Sequence, residues 1–255
     1  MEEKIYFESS LNYFTYVSKS SNFLPLVVIV PGGGYDHTSK REAFNVADFF
    51  LDLGFHAVVL NYREQLDIYP NPQEELAYVN DYFRLNAKKY NVLENRILNI
   101  GFSAGAHLVL SQSLYHSEYG KNSLPNGLVL CYPVVSSDFK IAHNSSFNYL
   151  LGDKKSNELL DKLSLEKHIN SNLPDVFMWH TEKDNSVNIL NSLYLYEAFI
   201  KNNVNCEYHV FDYGAHGMSL ADDSMCLGGT NHKDNYIHEW TNYLKKWLKL
   251  KGWIK

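Results

Sequence analysis

Cysteine is scarce in this chain, with only Cys131, Cys206 and Cys226 among 255 residues. Their wide spacing suits neither a disulfide framework nor a CxxC metal site, so they read as reduced thiols. Long hydrophobic runs are missing too. No stretch approaches the roughly 20 apolar residues of a membrane span, and the acidic opening MEEKIYFESS lacks the basic start and apolar run of a secretory signal. Dense positive charge is also absent, since 23 Lys and Arg face 29 Asp and Glu for a net charge of −6. The lysines that gather, Lys245, Lys246, Lys249 and Lys251, lie in the last turns of the final helical pattern, where they complement a helix dipole. Neither nucleic acid nor a membrane is an expected partner, and the expected location is cytoplasmic. The sequon Asn144-Ser145-Ser146 would matter only in a secreted protein. No internal repeat, low-complexity tract or linker is present.

What the chain does have is apolar surface. Hydrophobic residues make up 45% and aromatics 15%, enough for a large core wrapped on both faces of a sheet. Short apolar runs at 26–30, 56–62, 96–102, 127–132, 175–180 and 206–213 read as buried strands, bounded by Gly or Pro and rich in β-branched and aromatic residues. Helical patterns lie between them at about 40–53, 73–90, 104–116 and 188–202, with a last one at 235–250. In that last pattern Ile237, Trp240, Leu244, Trp247 and Leu248 form one apolar stripe. Two alternating runs, 4–8 and 12–17, predict an antiparallel hairpin at the sheet edge. The expectation is an α/β chain forming one domain over 1–255, with a mostly parallel eight-stranded sheet covered on both faces. Ligands of such sheets bind beyond the carboxyl ends of the strands. Residues 134–173 break the alternation and read either as a cap or binding insertion or as a surface excursion with no ligand contact.

The run 96–102 leads straight into Gly101-Phe102-Ser103-Ala104-Gly105, a G-x-S-x-G between a strand and a helical pattern. That context predicts a strained turn that exposes the Ser103 hydroxyl, with the Ala104 amide aimed where an oxyanion would form. Pro31-Gly32-Gly33-Gly34-Tyr35 follows the first buried strand. Its glycines can present main-chain amides as the other half of an oxyanion hole, and neither phosphate-loop fingerprint is present. Serine needs a general base. Of 11 histidines, His216 stands in a small-residue loop after the last strand, whereas His56, His107 and His180 read as structural. Asp184 follows the penultimate strand, giving the chain order Ser103, Asp184, His216. Glu182 shares that loop and is its serious rival as the acid. Asp175 begins a strand at the wrong end of the sheet, and Asp222 and Asp223 break the chain order.

The whole pattern resembles the esterase/lipase branch of the α/β-hydrolases, close to carbohydrate acetylesterases, feruloyl esterases and hormone-sensitive-lipase-like esterases. The residues that carry it are PGGGY at 31–35, Arg41-Glu42-Ala43, LNYR at 60–63, YP at 69–70, GFSAGAH at 101–107, YP at 132–133, LLG at 150–152, WHTEKD at 179–184 and GAHGMSL at 214–220. The resemblance implies triad roles for Ser103, Asp184 and His216, an oxyanion hole of Gly33, Gly34 and Ala104, and a preference for small acyl groups, acetyl first. Tyr35 is the candidate for substrate contact. Two departures are visible: Pro31 stands where many relatives have His, and Ala106 where many have Gly. The expected partner is a small-molecule ester, with no metal or organic cofactor. A serine peptidase or amidase on the same fold, and an inactive binding scaffold, are the alternatives.

Overall fold

Period-two alternation assigns the side chains of each central strand to two separate cores. In β3 (Leu24–Val30), Leu26, Val28 and Val30 point to one face and Val27 and Ile29 to the other; β6 (Gly127–Cys131) and β7 (Val176–Thr181) repeat the rule. A computed structural model describes residues 1–66, 68–227 and 230–255, with 226, 227, 230 and 231 described by backbone alone. Strands β1 (Glu2–Tyr6), β2 (Tyr13–Val17), β4 (His56–Asn61), β5 (Val92–Phe102) and β8 (Cys206–Phe211) complete an eight-stranded sheet in the order β1-β2-β4-β3-β5-β6-β7-β8. The β1/β2 hairpin is antiparallel and joins β4 antiparallel, while all pairs from β4 to β8 are parallel. This is the α/β-hydrolase fold.

Helices α2 (Asn71–Leu85), α3 (Ala104–Leu114) and α6 (Leu190–Lys201) cover one face; α1 (Phe44–Asp52) and α7 (Asn235–Leu250) cover the other. Helix α7 starts where the Asp234 carboxylate accepts the Tyr236 and Ile237 amides, and its expected stripe is buried. Three boundaries differ from the sequence reading. The 40–53 pattern splits into a 3-10 turn at Lys40–Glu42 and α1, because Glu42 turns inward to the Gly32 amide. The 73–90 pattern breaks at Asn86, whose side-chain amide donates to the Tyr82 carbonyl and leaves a separate helical turn at Ala87–Tyr90. Strand β8 is a sheet edge, half-buried rather than buried. Cys131 and Cys206 are free thiols; the Cys226 side chain lies outside the described ones. No helix among the described residues is long and apolar enough to cross a membrane.

Residues 134–173 form α4 (Asn144–Leu151), α5 (Asn157–Lys162) and short turns, and bury Phe147, Leu150, Leu151, Leu163 and Leu165 in the same core as α3. A polar chain ties the two together. Tyr35 OH donates to His107 Nδ1 at 2.8 Å, and His107 Nε2 donates to the Leu163 carbonyl at 3.0 Å. Burial pushes the His107 imidazole down to about 4, so it remains neutral in this arrangement. Tyr35 is thereby corrected from a substrate contact to a core residue: it is 0% exposed, with its ring against Tyr62 and His107.

This packing sets the expected cost of two substitutions. Trp240 is fully buried, stacks on Trp179 at 5.0 Å and donates to the Ser219 carbonyl at 2.8 Å. Trp240→Ala is expected to cost about 3–5 kcal/mol, read as a lower urea midpoint at unchanged slope. Tyr35→Phe leaves the buried His107 Nδ1 without its donor and is expected to cost about 1–3 kcal/mol in the same measurement. A substrate contact would instead appear as a raised KM for 4-nitrophenyl acetate.

Candidate active site

The carboxyl ends of β3, β5, β7 and β8 deliver the chemistry-bearing loops to one edge of the sheet. Between β5 and α3, Ser103 takes φ 53° and ψ −118°, outside the ordinary regions for a side-chain-bearing residue. Gly105, two residues on, makes the turn possible. A Cβ there would lie 2.2 Å from the Val30 carbonyl oxygen, so only glycine lets α3 pack this closely on β3.

Ser103 Oγ lies 2.9 Å from His216 Nε2, and His216 Nδ1 lies 2.6 Å from Asp184 Oδ2. Asp184 Oδ1 accepts the Ser186 and Val187 amides, each at 2.8 Å. With Oδ2 facing Nδ1, the imidazole carries its proton on Nδ1 and leaves Nε2 to accept from the serine. Burial pushes the Asp184 carboxyl up, but hydrogen bonds from His180 and His216 outweigh it and hold the group well below the usual carboxylate range. His180 is a second imidazole on the same carboxylate: its Nε2 faces Asp184 Oδ2 at 3.2 Å and the Val187 carbonyl at 3.1 Å. Two acceptors there fix the proton on Nε2, and Nδ1 then accepts from Ser192 Oγ at 2.8 Å. Burial lowers the His180 pKa, consistent with that neutral form.

The rival acids are engaged elsewhere. Glu182 is half-exposed and paired with Lys183 at 2.6 Å. Asp175 accepts from Asn205 and Lys251 near the start of β7. Asp222 bonds Ser224, and Asp223 bonds Lys233.

The glycine loop is held from behind. Glu42, 3% exposed, accepts the Gly32 amide on Oε2 at 2.8 Å and the Tyr132 hydroxyl on Oε1 at 2.7 Å. Burial, reinforced by the nearby Glu42 charge, pushes the Tyr132 phenol far up, so it stays a donor; its ring meets the His216 ring edge-on at 5.0 Å. Gly33, at φ 125°, closes a turn in which its carbonyl accepts the Asp36 and His37 amides. A Cβ there would fall 2.0 Å from the His37 carbonyl oxygen. The amides of Gly33, Gly34 and Ala104 make no hydrogen bond with any described residue, so all three are free to receive an acceptor.

Gly33, Gly34, Ser103 and His216 line a cleft of about 310 Å³. Sequence reasoning missed its other walls: Asp36, His37 and Arg41 from the loop after β3, and His143, Ser145 and Tyr149 from the 134–173 segment. His143 Nδ1 lies 2.8 Å from Ser146 Oγ, and burial, with His216 nearby, lowers its pKa. The available signal for these residues was polar side chains clustered at the start of α4, in a segment that otherwise supplies core leucines. A hydroxyl bonded to an imidazole that is bonded in turn to a buried carboxylate, beside free amides, is suited to nucleophilic acyl transfer.

Comparison with known proteins agrees with this fold. The BD-FAE family matches residues 13–199. The structure of an acetyl ester-xyloside bifunctional hydrolase from Caldicellulosiruptor lactoaceticus superposes with a TM-score of 0.86 at 34% identity, covering 97% of this chain and 91% of that one. An endo-1,4-beta-xylanase B from Butyrivibrio fibrisolvens is 30% identical over 229 residues, and an acetylxylan esterase from Xylanibacter ruminicola is 27% identical over 226. These matches take in 85% and 86% of the chain but only 36% and 45% of the two curated relatives. With nearly three quarters of its length matched, the chain belongs to the BD-FAE family of α/β-hydrolase-fold proteins.

Proposed function

We propose that this chain hydrolyses short-chain carboxylic esters, acetyl esters of carbohydrates foremost, by acyl transfer through Ser103. The observation that carries the reading is the unbroken run of hydrogen bonds from Ser103 Oγ through His216 to Asp184, at 2.9 and 2.6 Å. Ser103 Oγ attacks the ester carbonyl while His216 Nε2 takes its proton. The amides of Ala104, Gly33 and Gly34 receive the oxyanion, and His216 returns the proton to the departing alcohol. Water then repeats the cycle on the acyl-enzyme, with Asp184 holding the imidazole and its Nδ1 proton throughout. Acetyl groups are favoured by the relatives whose names specify acetyl esters and acetylxylan. We take residues 1–255 as one domain in which 134–173 caps the cleft, a reading supported by the shared core and by His143, Ser145 and Tyr149. A cytoplasmic location is supported by the free thiols of Cys131 and Cys206.

Ser103→Ala is expected to lower kcat for 4-nitrophenyl acetate by on the order of 10⁴ to 10⁶ while the chain stays folded. A fluorophosphonate adduct mapped by mass spectrometry to any other residue would sink the assignment. Aminoacyl anilides measured alongside distinguish an esterase from an amidase. Asp184→Asn is expected to lower kcat by roughly 10⁴ through loss of the Nδ1 tautomer, against about tenfold or less for Glu182→Gln. The reverse ranking would transfer the acid role to Glu182.

A further inference from the structure

Among the described residues, one charged side chain of the cleft forms no hydrogen bond or ion pair and takes no part in the acyl-transfer chemistry, although His232 lies near enough to feel its charge. The sequence holds four arginines. Arg63 faces Glu75 at 3.8 Å, Arg84 donates to the carbonyls of Asn122 and Leu124, and Arg96 donates to the Lys251 carbonyl and lies over the Trp253 ring. The fourth is Arg41, whose guanidinium makes no hydrogen bond or ion pair with any described residue.

Its backbone is nevertheless fixed. Ser219 Oγ donates to the Arg41 carbonyl at 2.8 Å, and the next residue is the buried Glu42. The guanidinium lies against Gly217, where an added Cβ would come within 3.4 Å of Nη2. Arg41, Gly217 and His216 line the same cleft, so the cation shares it with the imidazole proposed to protonate the departing alcohol. The carboxylates of the cleft and of the neighbouring acid loop form no ion pair with it. Both Glu42 oxygens are bonded to Gly32 and Tyr132, and both Asp184 oxygens are bonded within their own loop and to the two imidazoles. Asp36, on the glycine-loop wall, sits 3.5 Å from His37 and forms no ion pair with Arg41. A half-buried, always-charged, forked donor is therefore presented to whatever fills the cleft on the wall formed by Arg41 and Gly217.

We propose that Arg41 binds a carboxylate carried by the alcohol half of the substrate, so that the preferred esters are O-acetylated hydroxy acids or acidic sugars. This rests on the ester-hydrolase reading and narrows it. Arg41 is a specificity residue: it touches the leaving group but takes no part in proton transfer.

The probes are the acetyl esters of 3- and 4-hydroxybenzoate and of the matching hydroxybenzamides, which differ in charge at nearly constant shape. The readout is the ratio of kcat/KM for the carboxylate ester over the amide ester, taken within each variant so that any general loss of activity cancels. In low-salt buffer, the wild-type ratio for at least one of the two isomers is expected to exceed that of Arg41→Gln by about tenfold. Arg41→Lys should retain part of the gain, and added salt should shrink it. Equal ratios in wild type and Arg41→Gln for both isomers would overturn the proposal, as would a salt-independent difference. Turnover of 4-nitrophenyl acetate by the wild type separates the two readings: its absence overturns ester hydrolysis itself, whereas its presence with equal ratios overturns only the role of Arg41.

Discussion

The buried carboxylate of Glu42 is the interaction on which the rest of the site depends. An anion held away from water is tolerated only when charge-assisted hydrogen bonds replace its solvation. Here the Gly32 amide and the Tyr132 hydroxyl do so, one on each oxygen. The Tyr132 oxygen in turn accepts the Ser219 amide at 3.0 Å, and the Tyr132 ring supports His216. One side chain thus ties together the loops after β3, β6 and β8, although these segments are far apart in sequence. Removing that charge would release the glycine loop and the face against which the imidazole rests.

The same division of labour appears on the other side of the imidazole. Asp184 has two histidines for neighbours, and burial separates their roles. His180 is fully enclosed and kept neutral, with its proton directed at the carboxylate and the Val187 carbonyl. His216 is 20% exposed and faces the cleft. A carboxylate supplied with four donors by its own loop and two rings has little freedom to rotate. That rigidity keeps the Nδ1 proton of His216 in one place.

Much of the fold was legible because periodicity reports burial directly. The near-continuous apolar runs marked the central strands, and the spacing of Ile237, Trp240, Leu244, Trp247 and Leu248 marked the docking face of α7. Ser103 was readable because its neighbours are local, with glycines two residues to either side and a strand before and a helix after. Tyr35 shows the limit of sequence patterns. Its place in sequence, beside the glycine loop, says nothing about which way its ring turns, and only the position of His107 in space reveals it as core. Glu42 and the cleft wall at 143–149 were hidden for the same reason: their partners are remote in sequence and obey no period. The expected helix at 40–53 is present from Phe44 to Asp52 and gives way to a 3-10 turn only at its start, where Glu42 accepts a tertiary hydrogen bond from Gly32.

The backbone at Ser103 also bears on how such a chain can change over time. A serine held at φ 53° and ψ −118° costs on the order of 1–3 kcal/mol that the surrounding packing must supply. Glycine would sit there with less strain, so selection for stability alone favours losing the hydroxyl. The close seating of α3 on β3 through Gly105 is therefore part of the packing that offsets this strain, so a loosening there would be felt at Ser103.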